Sequence, residues 1–534
     1  MAETLRCVRP ETVVTGWDFS TGAVKCLAFD LNGEVLAQVR FPTDLWYGAP
    51  EKMRQTDEPH PSELNLMQLE GQARASVRAM AAQLRGIGRL QDWAAGGISA
   101  THHTAGRIDR DHNQVRRAIC WNDHTLAKYH KKGLKRLGGQ GRVEELIGGP
   151  WAIRYTLSHL VKDEQHLPPE DWQRTLRILP HGALAAGYLT GNFDVVSVSA
   201  AASTGLMDLR TKTWQREMLG AIRSLKGPGA PIYEELAWQQ LPRIVDHYQL
   251  VGPMAEHIAL EAGIDPASRP LIFPTSDDQQ AGLVGGGAVD DGQLAVILGN
   301  SAVINSSSND LPRHATLDVM RLNWGPYLWM RCYNNGAQFL DRVVGANPDW
   351  QRLEREARAV GPGCTGTAVL PLIAPEPSLG IDAKKAGLKW FHPDESSPGK
   401  QFRAGLEALA YLMKLGVEEH EKAGQKITRI TVSGGIARSD LMCEILASVL
   451  GRRLERLASD EGPALGAAVT ALAAYESHLR RQRRIRTPSA VADAVRTLVR
   501  FRDPVEPNPD WADTYTQQLE MFRQRLGKLR KTSK

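Results

Sequence analysis

The sequence predicts an α/β protein made of two related halves, and three observations predict it. Short apolar runs of strand type alternate with longer segments of helical periodicity along most of the 534 residues. That length is too great for one ordinary hydrophobic core, so two large domains or about three smaller ones are expected. One local design also occurs twice. Val13-Val14-Thr15 runs into the turn GWDFSTG (16–22) and then Ala23-Val24-Lys25-Cys26-Leu27-Ala28-Phe29. Leu294-Ala295-Val296-Ile297-Leu298 runs into Gly299-Asn300-Ser301 and then Ala302-Val303-Ile304. Each reads as a β-hairpin whose tip exposes backbone N–H groups and small hydroxyls. Such tips cradle phosphate oxygens without a lysine. Two of them suggest a phosphate-handling cleft between two similar halves.

The elements follow in order. Residues 13–40 read as a strand–turn–strand–turn–strand meander, with Asn32-Gly33 a strong hairpin signal. Residues 43–62 are polar and Pro-rich, a loop. Leu64, Leu66, Leu69, Ala73 and Val77 give 63–86 the period of a helix. Gly97-Ile98-Ser99 resembles the end of a buried strand, and Ala118-Ile119-Cys120-Trp121 is another short one. Helical patterns dominate 124–190. A Gly/Pro-containing stretch, 252–270, separates the halves. Leu271-Ile272-Phe273 is a strand, and the second hairpin follows. Helices are expected at 401–423, 439–450 and 465–474, with a strand at 427–432 that ends in Ser433-Gly434-Gly435. The expected domains are 1–265, 266–475 and a basic helical tail, 476–534.

Composition narrows the class. Hydrophobic residues are 42% and charged residues 23%, as in a soluble globular protein. No apolar stretch approaches the ~18 residues of a membrane helix, and MAETLRCVRP lacks the apolar core of a signal peptide. The six cysteines are scattered with no Cys-x-x-Cys pair, which argues against a zinc ribbon and against a disulfide framework. A reducing cytoplasm fits. Net charge is +5, and 476–534 alone carries fourteen Lys/Arg against seven Asp/Glu. Those charges interleave with Leu, Val and Phe without aromatic clustering. Arg480, Arg481, Arg483, Arg484 and Arg486 therefore read as a solvated helix end rather than a nucleic-acid contact.

In this frame the chain resembles the FGGY carbohydrate kinases, and within them the xylulokinases, over residues 12–475. GWDFSTG resembles the N-terminal phosphate hairpin, G-x-D-x-[GS]-T. Ala118-Ile119-Cys120-Trp121-Asn122-Asp123 resembles the A-I-L-W-N-D strand. Eighteen residues before Trp121 stands His103, where xylulokinases carry the His of Q-M-H-G. SAAASTGLMDLRTKTW (199–214) resembles S-N-A-S-x-T-G-L-L-D-V-R-T-x-x-W. Asp278-Gln279-Gln280-Ala281-Gly282 resembles the segment that holds the catalytic Asp. LGNSAVI (298–304) resembles the second phosphate hairpin. SGGIARSD (433–440) with EGPALGAA (461–468) resembles the adenosine-binding part. Six such segments in family order are specific together, though each alone is weak. Three positions depart. Asn300 replaces a Thr, Thr101-His102-His103-Thr104 replaces Q-M-H-G, and Ala374-Pro375-Glu376-Pro377-Ser378 lacks the Arg of G-E-R-x-P. The resemblance implies the two-domain actin-like, hexokinase-like (ribonuclease H-like) ATPase fold with an interdomain cleft. It implies phosphoryl transfer from ATP with Mg²⁺ to a ketopentose, D-xylulose first, and a homodimer.

Each singled-out residue also has a bland reading. Asp278, between the 271–273 strand and a helix, is the general base by resemblance and a helix N-cap by position alone. Asp277 is the cap or simply exposed. Asp18 would hold Mg²⁺ through water, or satisfy its own turn. Ser20, Thr21, Gly299, Asn300 and Ser301 would bind phosphate. Gly434 and Gly435 would admit the nucleotide, although a turn explains one glycine well. By the resemblance His103, Trp121, Asp123 and Gln279 would be the sugar contacts, and His103 alone would read as a core histidine. The chain has no Gly-x-x-x-x-Gly-Lys-[Ser/Thr] loop and no Gly-x-Gly-x-x-Gly fingerprint after a strand. Sugar on the first domain and adenosine on the second imply closure on binding. The alternatives are a kinase for ribulose, glycerol or gluconate, a catalytically weak sugar-binding relative, and an actin-like or chaperone-like ATPase.

Overall fold

The computed structural model describes residues 7–48, 60–224, 227, 230–313, 316–345, 348–392, 397–459 and 461–531. Part of the polar loop expected over 43–62, residues 49–59, lies outside them. The chain divides into two compact units. The first comprises Met1–Gly285, Asp318–Leu328 and Pro463–Val499, the second Gly286–Leu317, Trp329–Gly462 and Arg500–Lys534.

In the first unit the expected meander forms. Val13–Phe19 pairs antiparallel with Ala23–Phe29, which pairs antiparallel with Val35–Pro42. Gly33, at φ +78, closes the Asn32-Gly33 turn in the left-handed region that favours glycine. On its other edge Val13–Phe19 runs parallel to Trp93–Ala100. Leu271–Ile272 and Ser276–Asp277 both pair parallel with Trp93–Ala100. Nearly every position of the two central strands is buried because the sheet is covered on both faces. Helix Leu66–Gly86 covers one face with Leu69, Ala73, Val77, Met80 and Leu84.

Helix Gly462–Gln482 covers the other face at very close range. A Cβ at Gly16 would overlap the Ala464 carbonyl, and one at Gly97 the Ala467 carbonyl and the Ala471 methyl. Small residues on both surfaces permit that approach. Gly97→Val should therefore lower stability by about 3 kcal/mol, the upper range of core overpacking, read as a lower denaturant or thermal midpoint. An unchanged midpoint would contradict this packing.

The second unit repeats the topology. Its strands lie in the order Tyr327–Tyr333, Ala302–Ser308, Gln293–Leu298, Arg429–Ser433, Glu455–Arg456. Gln293–Leu298 forms the hairpin with Ala302–Ser308 and runs parallel to Arg429–Ser433. Helix Pro398–Lys422 packs on this sheet with Leu406, Leu409, Met413 and Val417 buried.

Two boundaries differ from the sequence reading. The expected break at 265/266 falls inside the first unit, because Leu271–Ile272 and Ser276–Asp277 are hydrogen-bonded into its sheet. Asp278 therefore belongs to the first unit, not the second. Residues 476–534 are also no separate tail. Glu476 is buried, accepts the N–H groups of Cys7 (3.0 Å) and Val8 (2.9 Å), and pairs with Arg480 at 2.7 Å. Arg480 is thus a buried ion-pair member rather than solvated, whereas Arg481, Arg483, Arg484 and Arg486 are exposed as expected. Helix Ala512–Lys531 buries Tyr515, Leu519, Phe522 and Leu526 in the core of the second unit. None of the six cysteines is in a disulfide.

Candidate active site

In the first unit three parallel strands end together, and their C-terminal ends carry the candidate chemistry, the usual place for a ligand in an α/β sheet. Val13–Phe19 delivers Asp18, a buried carboxylate that accepts the Ser99 hydroxyl at 3.2 Å. Trp93–Ala100 leads into Thr101, whose N–H and hydroxyl both reach the Phe19 carbonyl (2.9 and 3.1 Å). That anchor sets His102 and His103 beside the first hairpin. Ser276–Asp277 turns directly into helix Asp278–Gly285.

The two adjacent aspartates have different work. Asp277 is buried, receives the Ser199 hydroxyl, and accepts the N–H groups of Gln279 and Gln280 at 2.9 Å each. It is the helix cap, and it is not exposed. Asp278 is half-buried and receives only a 3.3 Å bond from the His102 N–H and one of 3.3 Å from Gln279 Nε2. Burial, then the charges of Asp277 and Asp18, push its carboxyl up to about 8. Its ionised form is a stronger base than an ordinary carboxylate, and a nearby cation would favour that form.

His103 stands at φ +61, a strained conformation for a residue with a Cβ. It is held by an Nδ1 contact of 3.0 Å to the Ser203 carbonyl, and it stacks between His102 (3.6 Å) and Tyr155 (4.3 Å). Burial lowers both imidazole pKa values, so both rings are neutral at pH 7. The Nε2 atoms of His102 and His103 are buried without a hydrogen-bond partner in the protein. A ring nitrogen of His102 lies within 4.8 Å of the Asp277 and Asp278 carboxylates, and two unpartnered atoms on stacked rings call for a polar ligand.

In the second unit the same strand ends form a cavity of about 560 Å³. Gly299 and Asn300 line it from the hairpin, Gly435 and Ile436 from the end of Arg429–Ser433, and Trp350 and Phe402 from helices. Gly299 N–H closes the turn on the Ser301 carbonyl at 3.0 Å. The two glycines beyond the strand have separate reasons. Gly434 sits at φ +97, and a Cβ there would overlap the Leu298 carbonyl. Gly435 has open space where a Cβ would stand, facing the cavity.

The family models for the FGGY family of carbohydrate kinases match this chain, the N-terminal domain over residues 13–285 and the C-terminal domain over 379–475. The chain belongs to the FGGY family of carbohydrate kinases. The xylulose kinase of Escherichia coli (strain K12) is 27% identical over 469 residues, covering 85% of this chain and 88% of that protein. The xylulose kinase of Bacillus subtilis (strain 168) is 24% identical over 473 residues, covering 87% and 88%. The gluconate kinase structure from Lactobacillus acidophilus matches with a TM-score of 0.81 at 19% identity, over 97% of this chain and 98% of that one. The glycerol kinase of Plasmodium falciparum with ADP gives 0.76 at 14% identity, over 96% and 98%. These likenesses carry the actin-like ATPase fold, and the protein is a carbohydrate kinase, whose phosphoryl donor by family is ATP. No described helix is long and apolar enough to cross a membrane.

The kinase treats the remaining sequence-chosen residues unevenly. Ser20 directs its N–H and hydroxyl to the Ala23 carbonyl (3.0 and 2.8 Å), closing the hairpin itself and leaving Thr21 at the tip. Gln279 follows Asp278 and touches it. Trp121 is 42% exposed. Asp123 is buried and engaged by Lys162 at 2.9 Å and by Thr125 N–H and hydroxyl at 2.8 and 2.5 Å, so its carboxylate holds its own turn. Sequence reasoning passed over His102, Gln280 and Asn323. Asn323 accepts the Ser199 N–H (2.8 Å), donates to the Thr275 carbonyl (2.9 Å), and gives its N–H to Gln280 Oε1 (2.7 Å). Ser199 opened a recognised motif, so its link to Asp277 had a signal. Asn323 had none.

Proposed function

We propose that this kinase transfers the γ-phosphoryl group of ATP to a hydroxyl of a ketopentose, D-xylulose first. The observation that supports it best is Asp278, a carboxyl lifted to about 8 beside His102, on which His103 stacks, two buried imidazoles whose Nε2 atoms lack partners. A sugar offers both donors and acceptors to such atoms. The curated relatives named above act on xylulose by name.

In the reaction the sugar hydroxyl oxygen bonds the γ-phosphorus, the bond to the bridging oxygen breaks, and ADP leaves. The hydroxyl proton passes to Asp278. The transition state is loose, so orienting the hydroxyl matters more than strong base chemistry. His102 and His103 orient the sugar, with Gln279 at its edge, and Asp277 keeps the helix N-terminus in place. The nucleotide lies in the cavity of the second unit, its base along Gly434-Gly435 and its terminal phosphates on Gly299-Asn300-Ser301. Within the first unit, Thr21 and its hairpin are the candidate phosphate contacts. The donor set fits a hard divalent cation, since Asp18 and Asp278 bear on each other as like charges. Asp18 would hold Mg²⁺ through water, where it offsets phosphate charge. A homodimer is the proposed assembly.

A panel of D-xylulose, D-ribulose, L-ribulose, gluconate and glycerol in a coupled ADP-release assay tests the substrate. A site built around hydroxyls can reject analogues lacking them by ~10⁴-fold, so one ketopentose should stand well above glycerol, with D-xylulose highest. A kcat/KM for glycerol or gluconate above both D-pentuloses would refute the substrate and leave the kinase in place.

A further inference from the structure

The 374–378 loop, where the family's G-E-R-x-P motif has lost its Arg, has no place in the mechanism above, yet it contains a buried acid. Glu376 is 1% exposed. Its Oε1 accepts the Asn335 N–H at 3.1 Å and Asn335 Nδ2 at 2.7 Å. Asn335 is fully buried and is clamped from the same loop, accepting the Ala374 N–H at 2.8 Å and donating to the Ala374 carbonyl at 3.1 Å. The loop is closed on itself by reciprocal Glu376–Ile381 backbone bonds of 2.8 and 3.0 Å.

The next residues touch the second hairpin. Gly336 N–H donates to the Asn300 carbonyl at 3.1 Å and Ala337 N–H to the Gly299 carbonyl at 2.8 Å. A Cβ at Gly336 would overlap both carbonyls. Gly299 and Asn300 therefore take their orientation from the 335–337 segment, and that segment takes its own from Glu376. A tip whose carbonyls are tied back presents its opposite side to a ligand, and small displacements of such donors are costly.

We infer that Glu376 is a positioning residue for the ATP phosphate hairpin, acting through Asn335 and Gly336. The inference rests on the reading of 299–301 as a phosphate site. Burial pushes the Glu376 carboxyl up to about 7, with the bonds from Asn335 and Asn334 and then the Arg331 charge opposing it. The contact needs an acceptor oxygen rather than a charge, so an amide should replace it.

The test is steady-state kinetics on the full chain, varying ATP and sugar separately. Glu376→Ala should raise KM for ATP about tenfold with KM for the sugar unchanged, the scale of a misplaced binding group. Glu376→Gln, which keeps the acceptor, should stay within about twofold of wild type. If the alanine variant fails to fold, Glu376→Asp carries the test, since it keeps the charge but shortens the reach. Gly299→Asp, which has room at its Cβ, places a charge at the tip and should itself raise KM for ATP. A raised ATP KM in Gly299→Asp with normal values in Glu376→Ala and Glu376→Asp overturns the positioning role alone. An equal loss in the Gln and Ala variants also overturns it. An unchanged ATP KM in Gly299→Asp overturns the hairpin reading and the inference with it.

Discussion

Asp278→Asn lowers kcat by about 10²-fold or more, the scale of a lost general base, while ATP affinity stays near wild type. The substitution keeps the shape of the side chain and removes its ability to accept a proton. It also changes stability in a direction opposite to activity. The folded-state pKa of about 8 lies above the 3.8 of an ordinary aspartate, so the fold binds this proton more tightly than the unfolded chain does. The contribution of Asp278 to stability is then fully present below about pH 4 and is lost as pH rises through about 8. Asparagine has no such loss. In Mg²⁺-free buffer the Tm advantage of the variant should grow with pH up to about 8 and level off above it. Asp277→Asn is the control. Asp277 caps the helix and receives Ser199, so its variant should lose stability while keeping kcat within about tenfold. The reverse pattern would move the base by one residue.

Asp18→Ala lowers Mg²⁺-dependent turnover by ~10- to 100-fold, the usual scale for a perturbed ion site, with sugar binding within about twofold of wild type. Asp18 lies near the end of the first strand and accepts the Ser99 hydroxyl. Calorimetry of sugar binding and turnover against Mg²⁺ concentration check the two halves of this result. A second readout follows from the charge. Asp18 helps raise Asp278, so its removal should shift the pH dependence of Tm due to Asp278 toward lower pH. Wild-type Mg²⁺ dependence in Asp18→Ala would remove the ion role from this hairpin.

Much of the fold was legible because it rests on local pattern. The alternation of 13–40 with an Asn-Gly turn could form little besides a meander, and the repeated apolar–turn–apolar design marked both hairpins before any contact was known. Helices such as Pro398–Lys422 and Asp440–Leu450 were legible in the sequence, while their Ser caps, Ser397 and Ser439, came only with the structure. The division of the chain was less legible. A Gly/Pro stretch at 252–270 looks like a linker, but strand pairing to Trp93–Ala100 is a long-range event, and it keeps the chain in the first unit through Gly285. Likewise a run of arginines looks solvated until Glu476 is seen beneath Arg480.

By itself, then, the sequence determined that two hairpins of one design exist, that Asp278 follows a strand and opens a helix, and which family carries that order of motifs. These are properties of neighbours in the chain. Only the tertiary structure decided the roles within the site. It separated Asp277 from Asp278 by giving one a full set of donors and the other almost none. It committed Asp123 to Lys162, and it set His102 beside His103 with two buried nitrogens unpaired. It also connected Glu376 to Asn300 through residues distant in sequence. The physical reason is that a side chain's chemistry depends on burial and on its partners. Both are set by strands and helices that meet across separations of 39 to 176 residues, where no local pattern reaches.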